Sequence, residues 1–190
     1  NIVTEGGTGL EEELISKKEL LEQCLYPVTP KVKIGEDAAF TYPCLLAAES
    51  LAYVDGCLYH YRNNAQSMTA AFDPHLTETI FIPLDILRTY FDTDKRALFA
   101  QYQMYAAYLL QLWVRNQASL DCDLDRKGLR QSCARVCQNQ ELRALLASVP
   151  GALPRQVAVA VRAVQQQKPG QLYLLIKAWN LYYKLRNGRA

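Results

Sequence analysis

Apolar residues recur at helical spacing through most of the second half of the chain. In residues 94–117, one stripe of a helix would carry Leu98, Tyr102, Tyr105, Leu109 and Leu112. Further helices are predicted over residues 76–91, 125–147, 155–166 and 170–187. "SVPGALPR" and "KPG" separate the last three of these, because Pro and Gly end helices.

In the first half of the chain, the segments with helical periodicity are shorter, and one segment has a strand-like pattern. Helices are predicted over residues 11–24 and from Glu36 onward. Two β-rich runs flank Asp55-Gly56, a pair typical of a tight hairpin turn. Strand alternation places His60 and Arg62 on one face of the second arm. These patterns predict an α+β fold that is predominantly α-helical, with residues 1–75 as one region and residues 76–190 as a helical C-terminal region.

Composition and charge narrow the class of protein only a little. The net charge is +2, which is too small to indicate a nucleic-acid partner. Every apolar run is shorter than the ~20 residues of a membrane span. Because the chain lacks an initiator Met and a signal-like segment, we expect it to be cut from a longer, cytoplasmic protein.

The six cysteines are dispersed along the chain. Without a secretory context, this dispersion favours free thiols in a reducing compartment. Cys133 and Cys137 are one helical turn apart and could begin a metal site. Structural thiols are the alternative, and the presence of only two histidines in the chain favours it.

The segments "GEDAAFTYPCLLAAES" and "YVDGCLYHYRNNAQSMT" carry the most informative pattern. Their order resembles the second half of family-2 glycosyltransferases of the GT-A fold, in the branch that makes bacterial surface polysaccharides. The matching elements are an acid pair at a helix start, a strand ending in Tyr-x-Tyr-Arg and a following Ser. In this chain they are Glu36-Asp37, Tyr59 to Arg62, and Ser67. The resemblance covers residues 11–92.

This resemblance implies an inverting transfer of a sugar from a nucleotide-diphospho-sugar to an acceptor hydroxyl, on a glycan or a lipid-linked molecule. Asp37 would be the general base that takes the proton of the attacking hydroxyl, and Glu36 would orient the loop or a sugar hydroxyl. Arg62 would hold the departing diphosphate, assisted by His60 and Ser67. The full-length enzyme would also use a divalent metal, Mg or Mn.

Two parts of such an enzyme are missing from these 190 residues. The 190 residues contain neither an α/β half that binds the nucleotide nor an Asp-x-Asp metal motif in the expected place. "DCDLD", residues 121–125, has the right spacing but follows the acid pair, so we interpret it as a solvated helix start. The chain is therefore expected to be an acceptor-side fragment that is inactive alone.

Each candidate residue also has a structural interpretation. Glu36-Asp37 can simply complement the free N–H groups of a helix start. Arg62 can be a surface residue, His60 a hydrogen-bonded structural histidine and Ser67 a turn hydroxyl. The alternative function, in a different class, is a non-catalytic helical module for protein interaction that keeps remnants of a transferase sequence.

The last predicted helix, residues 170–187, mixes aromatic and basic residues. Leu172, Ile176, Trp179 and Tyr183 share one face. The simpler interpretation packs this face on the other helices and leaves the basic ends in water. The alternative places the helix on an anionic membrane surface, at the inner face of the membrane. The sequence leaves the oligomeric state open.

Overall fold

The computed structural model describes residues 32–50, 52, 71–91 and 96–187. These residues form α-helices and contain no strand, which confirms a predominantly helical fold for this part of the chain. The predicted helix over residues 11–24 and the hairpin around Asp55-Gly56 lie outside the described residues, and the division at residue 75 stays a prediction. The helices are α1 (Glu36–Ala47), α2 (Leu76–Thr79), α3 (Ile82–Leu87), α4 (Arg96–Gln117), α5 (Arg126–Gln138), α6 (Gln140–Leu146), α7 (Arg155–Gln165) and α8 (Pro169–Asn187).

The prediction of a single helix over residues 76–91 is wrong. Helix α2 ends at Thr79, and α3 begins at Ile82 with Pro83 in its first turn. Proline has no backbone N–H, so Pro83 cannot bond to the Thr79 carbonyl one turn earlier. A helix that restarts with proline near its N-terminus avoids this loss, because the first N–H groups have no intrahelical partner.

The prediction of one helix over residues 125–147 is also wrong, because Asn139 divides it into α5 and α6. Asn139 has an extended backbone (φ −64, ψ 106), and its N–H donates to the Arg135 and Val136 carbonyls that end α5. Its side-chain oxygen accepts from the Leu142 N–H at 2.9 Å and so caps α6. One short polar residue therefore ends one helix and starts the next.

Helix α4 runs through the centre of the core. The predicted stripe is correct: Tyr102, Tyr105 and Leu109 are buried, and Leu98 and Leu112 pack partly buried at its edges. Leu110 and Trp113 are also fully buried on α4. One continuous cluster of buried side chains extends from α1 through α4 to α8.

Buried polar groups fix α4 against its neighbours. The Tyr102 hydroxyl donates to the Leu84 carbonyl of α3 at 2.5 Å. The Gln103 amide donates to the Leu145 carbonyl at 2.9 Å and to the Ser148 hydroxyl at 3.1 Å, at the end of α6. Because a buried polar group is costly to leave unpaired, these bonds select one position of α4 between α3 and α6.

Candidate functional site

The first turn of α1 presents the predicted acid pair. Gly35 precedes the helix in a left-handed conformation (φ 84, ψ 16), and its backbone lies against the Tyr105 hydroxyl and Pro83. Ala38 and Ala39 follow the acids and are buried, Ala39 against Val32 and Ile86. The start of α1 is thereby fixed to α3 and α4, and this packing fixes the position of the two carboxylates.

The two acids differ in their surroundings. Glu36 is half-buried, whereas Asp37 is exposed. One carboxylate oxygen of Asp37 accepts from the Ala38 N–H at 2.8 Å. This bond satisfies a first-turn N–H and orients the carboxylate, so the predicted structural role at the helix start is present. An exposed, oriented carboxylate can also take a proton from a hydroxyl that binds beside it.

The other predicted site residues, His60, Arg62 and Ser67, lie outside the described residues. Their roles, and their distances from Asp37, stay predictions. The described structure therefore contains two of the five predicted site residues, Glu36 and Asp37, on a helix that packs against the core.

Among the described residues, no group of three or more His, Cys, Asp or Glu side chains is placed to hold a metal ion. In "DCDLD", the side chain of Asp125 caps α5 by accepting from the Gly128 N–H at 2.6 Å, as expected for a helix start. Asp121 and Asp123 are exposed beside it. This segment therefore has a structural role in the fold.

Cys133 and Cys137 are buried free thiols in the core. Burial raises the pKa of Cys133 to about 12 and that of Cys137 to about 11. Both sulfurs are thus held as neutral thiols at physiological pH, whereas a nucleophile or a metal ligand must be a thiolate. The structural interpretation of these two residues fits their environment.

An apolar cleft lies between α1 and α4. Its volume is about 80 Å³. It is lined by Tyr42, Leu45, Leu46, Phe91, Leu98, Gln101, Tyr102 and Tyr105. A cleft of this size has room for roughly three water molecules. Its accessible lining is almost entirely apolar, so it offers few partners for the hydroxyl groups of a sugar.

A second pair of carboxyl groups joins α3 to α6. Asp85 shares a hydrogen bond with Glu141, and Arg88 donates to Glu141 at 3.1 Å. Burial, together with the hydrogen bond and the charge of Glu141, raises the pKa of Asp85 from 3.8 to about 6, although Arg88 acts in the opposite direction. Asp85 is therefore partly protonated in the folded protein at mildly acidic pH.

We expect Asp85→Asn to stabilise the protein at pH 7 and to have less effect at pH 4. The raised pKa means that the folded state binds more protons than the unfolded state between these values, so the free energy of unfolding falls as the pH rises from 4 to 6. The free energy of unfolding at pH 7 should rise by about 1 kcal/mol. This is less than the pKa shift alone would give, because Asp85 is only partly buried and water screens its charge. Urea denaturation at both pH values measures it.

The control for this prediction is Asp123→Asn, which removes an exposed carboxylate from a loop. It should leave the difference in stability between pH 4 and pH 7 close to that of the unchanged chain. An equal gain for Asp85→Asn at both pH values would contradict the coupling of Asp85 to Glu141.

The net charge conceals a strong segregation of charge along the chain. Residues 1–125 contain 9 Lys or Arg and 18 Asp or Glu, whereas residues 126–190 contain 12 Lys or Arg and a single acid, Glu141. This division was not predicted, because the net charge of the whole chain averages the two parts. A running count of charge along the chain reveals it without any structure.

Part of this positive charge surrounds a groove between the N-terminal ends of α5 and α8. The groove has a volume of about 570 Å³ and is lined by Arg126, Arg130, Lys168, Gly170, Gln171, Tyr173 and Leu174. The Arg130 guanidinium lies over the Tyr173 ring, 5.2 Å from its centroid, in cation–π geometry. The three cationic side chains are exposed and give this end of the molecule a positive surface.

Within the described ranges, none of the helices is both long enough and apolar enough to cross a membrane. The sequence matches no protein-family model, and no curated protein or solved structure is significantly similar to it. The resemblance to glycosyltransferases therefore depends on the motifs of the sequence.

Proposed function

We propose that this chain is the acceptor-side and C-terminal part of a glycosyltransferase that moves a sugar from a nucleotide-diphospho-sugar to an acceptor hydroxyl, with inversion, in the synthesis of a bacterial polysaccharide or envelope glycan. The observation that carries the proposal is the exposed Asp37 carboxylate, which is oriented in the first turn of a helix fixed to the core. A fixed carboxylate that is open to solvent can accept a proton from a hydroxyl that binds beside it, which supports the proposal.

In the proposed mechanism, Asp37 accepts the proton of the acceptor hydroxyl while that oxygen attacks the anomeric carbon. The bond from this carbon to the diphosphate breaks, and the nucleoside diphosphate leaves with the electron pair. Glu36 orients the loop or a sugar hydroxyl. The fixed position of α1 contributes by holding Asp37 in one place, since a base that moves loses efficiency.

The predicted hairpin would bind the leaving group, the nucleoside diphosphate. Its second arm would place Arg62 and His60 on one face, with Ser67 a few residues further along. A guanidinium can hold two diphosphate oxygens at once, and the imidazole and hydroxyl can donate further hydrogen bonds. In the cytoplasmic full-length enzyme, a divalent metal, Mg or Mn, would neutralise the diphosphate charge. The Asp-x-Asp motif that would hold this metal is not in the expected place among the residues of this chain.

Asp37→Asn in the full-length protein is expected to lower the rate of sugar transfer by roughly 100- to 10,000-fold, because an amide cannot accept the hydroxyl proton. The melting temperature should stay nearly unchanged, since the Asn oxygen can still accept from the Ala38 N–H. Transfer is measured as release of the nucleoside diphosphate with each candidate donor. Normal turnover by this variant would exclude Asp37 as the base.

Two further variants separate the roles. Glu36→Gln should cause a smaller loss of transfer, as expected for a positioning residue. Arg62→Ala should weaken the binding of the nucleoside diphosphate, whereas Asp37→Asn should leave that affinity intact. If Arg62→Ala bound the nucleoside diphosphate as tightly as the unchanged protein, Arg62 would not hold the leaving group.

A non-catalytic interaction module is the second candidate function, and one observation favours it. Helix α8 exposes large apolar side chains on its outer surface, which is typical of an interaction surface. The transfer assay with the full-length protein distinguishes the two functions, because an interaction module would show no transfer with any donor.

A further inference from the structure

Helix α8 has two apolar faces. The predicted face is buried: Leu172 and Ile176 are inaccessible to solvent, and Trp179 and Tyr183 pack partly buried against the core. The opposite face carries Leu174, Leu181 and Leu185, which are separated by seven and four positions and so form one stripe of the helix. We call these three residues the leucine stripe.

The leucine stripe is unusual in its exposure. Leu174, Leu181 and Leu185 are 66%, 58% and 58% exposed, and the neighbouring Tyr182 is 57% exposed. Among the described residues, these are the four most exposed of the large hydrophobic side chains. Isolated exposed leucines are common on protein surfaces, but an aligned set of this kind indicates a surface that is covered by a partner.

Cationic side chains border the leucine stripe. Lys177 and Lys184 lie one helical turn or less from its leucines, and both are exposed. Leu174 also lines the groove that contains Arg126, Arg130 and Lys168, so the stripe continues into the positive surface at the N-terminal end of α8. Apolar and cationic groups thus form one continuous surface.

The acidic loop before α5 contacts a different side of α8. The Asn180 amide donates to the Ala118 and Ser119 carbonyls at 3.2 and 3.1 Å. The Asp123 carboxylate raises the pKa of the Cys122 thiol and the Lys177 ammonium lowers it, so both charges lie near Cys122. The loop after α4 therefore packs on the Asn180 side of α8, which is not the side of the leucine stripe.

We propose that α8 docks on the surface of an anionic phospholipid bilayer, with the leucine stripe inserted between the headgroups. Lys177, Lys184 and the cations of the groove would then contact lipid phosphates. Leucines account for the apolar part of the binding, and the lysines beside them for the preference for negative lipid. This inference depends on α8 and the groove, and it is independent of the proposed glycosyltransferase activity.

The composition of the surface favours a bilayer over other occupants. A nucleic acid would be bound by the cations, but its phosphates and bases would leave the leucine stripe exposed to water. A second copy of the chain would bring the same lysines face to face, and like charges repel. Of these three occupants, a bilayer with anionic headgroups is the one that uses both the leucines and the lysines.

Flotation of the 190-residue chain with vesicles tests the proposal. Vesicles with a third of their lipid as phosphatidylglycerol should bind the chain, and pure phosphatidylcholine vesicles should bind it far more weakly. Lys177→Gln with Lys184→Gln should weaken binding about 30-fold, at about fivefold per cation. Serine at all three positions of the leucine stripe should weaken it by roughly 100-fold or more. These side chains are exposed, so the variants should keep their melting temperatures.

Matched controls lie on α7. Arg155→Gln with Arg162→Gln removes two exposed cations from another helix, and Val159→Ser removes an exposed apolar side chain. Both should bind vesicles nearly as the unchanged chain does. Equal loss in the α7 and α8 charge variants would overturn the proposal, because it would show attraction by diffuse charge alone.

Two other results would also overturn it. One is undiminished vesicle binding by the leucine-stripe variant together with tight binding of a duplex oligonucleotide, which would indicate a nucleic-acid surface. The other is a dimer in light scattering, without vesicles, that dissociates when the leucine stripe is replaced. That dimer would show that a second copy covers the stripe.

Discussion

Replacing Trp113 with alanine should destabilise the protein by about 4 kcal/mol, the cost typical of a fully buried aromatic side chain in a core. Trp113 is inaccessible to solvent in the C-terminal part of α4. Its indole N–H donates to the Thr77 hydroxyl of α2 at 3.0 Å. The substitution would leave a cavity between these helices and a hydroxyl without its partner. Urea denaturation followed by circular dichroism measures the loss.

Two milder variants divide this loss into its parts. Trp113→Phe keeps much of the apolar volume but removes the indole N–H, and Thr77→Val removes only the acceptor. The loss of one such hydrogen bond should cost about 1 kcal/mol in Thr77→Val. If Trp113→Ala cost no more than Thr77→Val, then Trp113 would not be a centre of the core.

The helices whose apolar residues follow one uninterrupted stripe could be predicted from the sequence. Helix α4 is an example, since the burial of Tyr102 and Leu109 follows directly from the helical period. The breaks at Pro83 and Asn139 were not predicted. In both places the apolar period continues through the break, whereas the break itself arises from backbone groups that have to find partners.

The candidate site could be predicted only in part. The acid pair was found from its sequence pattern, and it does lie in the first turn of a helix, with Asp37 exposed. The contact between the Gly35 backbone and Tyr105 could not be predicted, because it joins residues that are far apart in the sequence. The outer face of α8 was not predicted, for a different reason. A single helix can carry two apolar stripes, and only the stripe that was expected to face the core was identified.

Gly35→Ala should destabilise the protein by about 3 kcal/mol. An alanine there would have to adopt a left-handed backbone, at about 1–2 kcal/mol. Its new methyl group would also collide with the Tyr105 hydroxyl and lie 3.1 Å from Cγ of Pro83. Because Gly35 precedes the acid pair, any shift that relieves the collision would also move Asp37. The measurements are urea denaturation of the 190-residue chain and sugar transfer by the full-length protein.

Gly151 supplies a matched control. It has nearly the same backbone angle (φ +82, against +84 for Gly35), but a methyl group there would meet nothing within 4 Å. Gly151→Ala should therefore cost only the conformational part, about 1–2 kcal/mol. Equal losses of stability in the two variants would show that Tyr105 and Pro83 can move away from the new methyl group at little cost.

The collision itself can be tested by a double variant. Tyr105→Phe removes the oxygen atom that the new methyl group meets, so adding it to Gly35→Ala should recover part of the lost stability. Sugar transfer should also recover in the double variant, because α1 and Asp37 would return toward their original position. This recovery would show that the loss of stability and the loss of transfer have the same cause. Recovery of stability without any recovery of transfer would mean that the position of Asp37 does not control the reaction, which would argue against its role as the base.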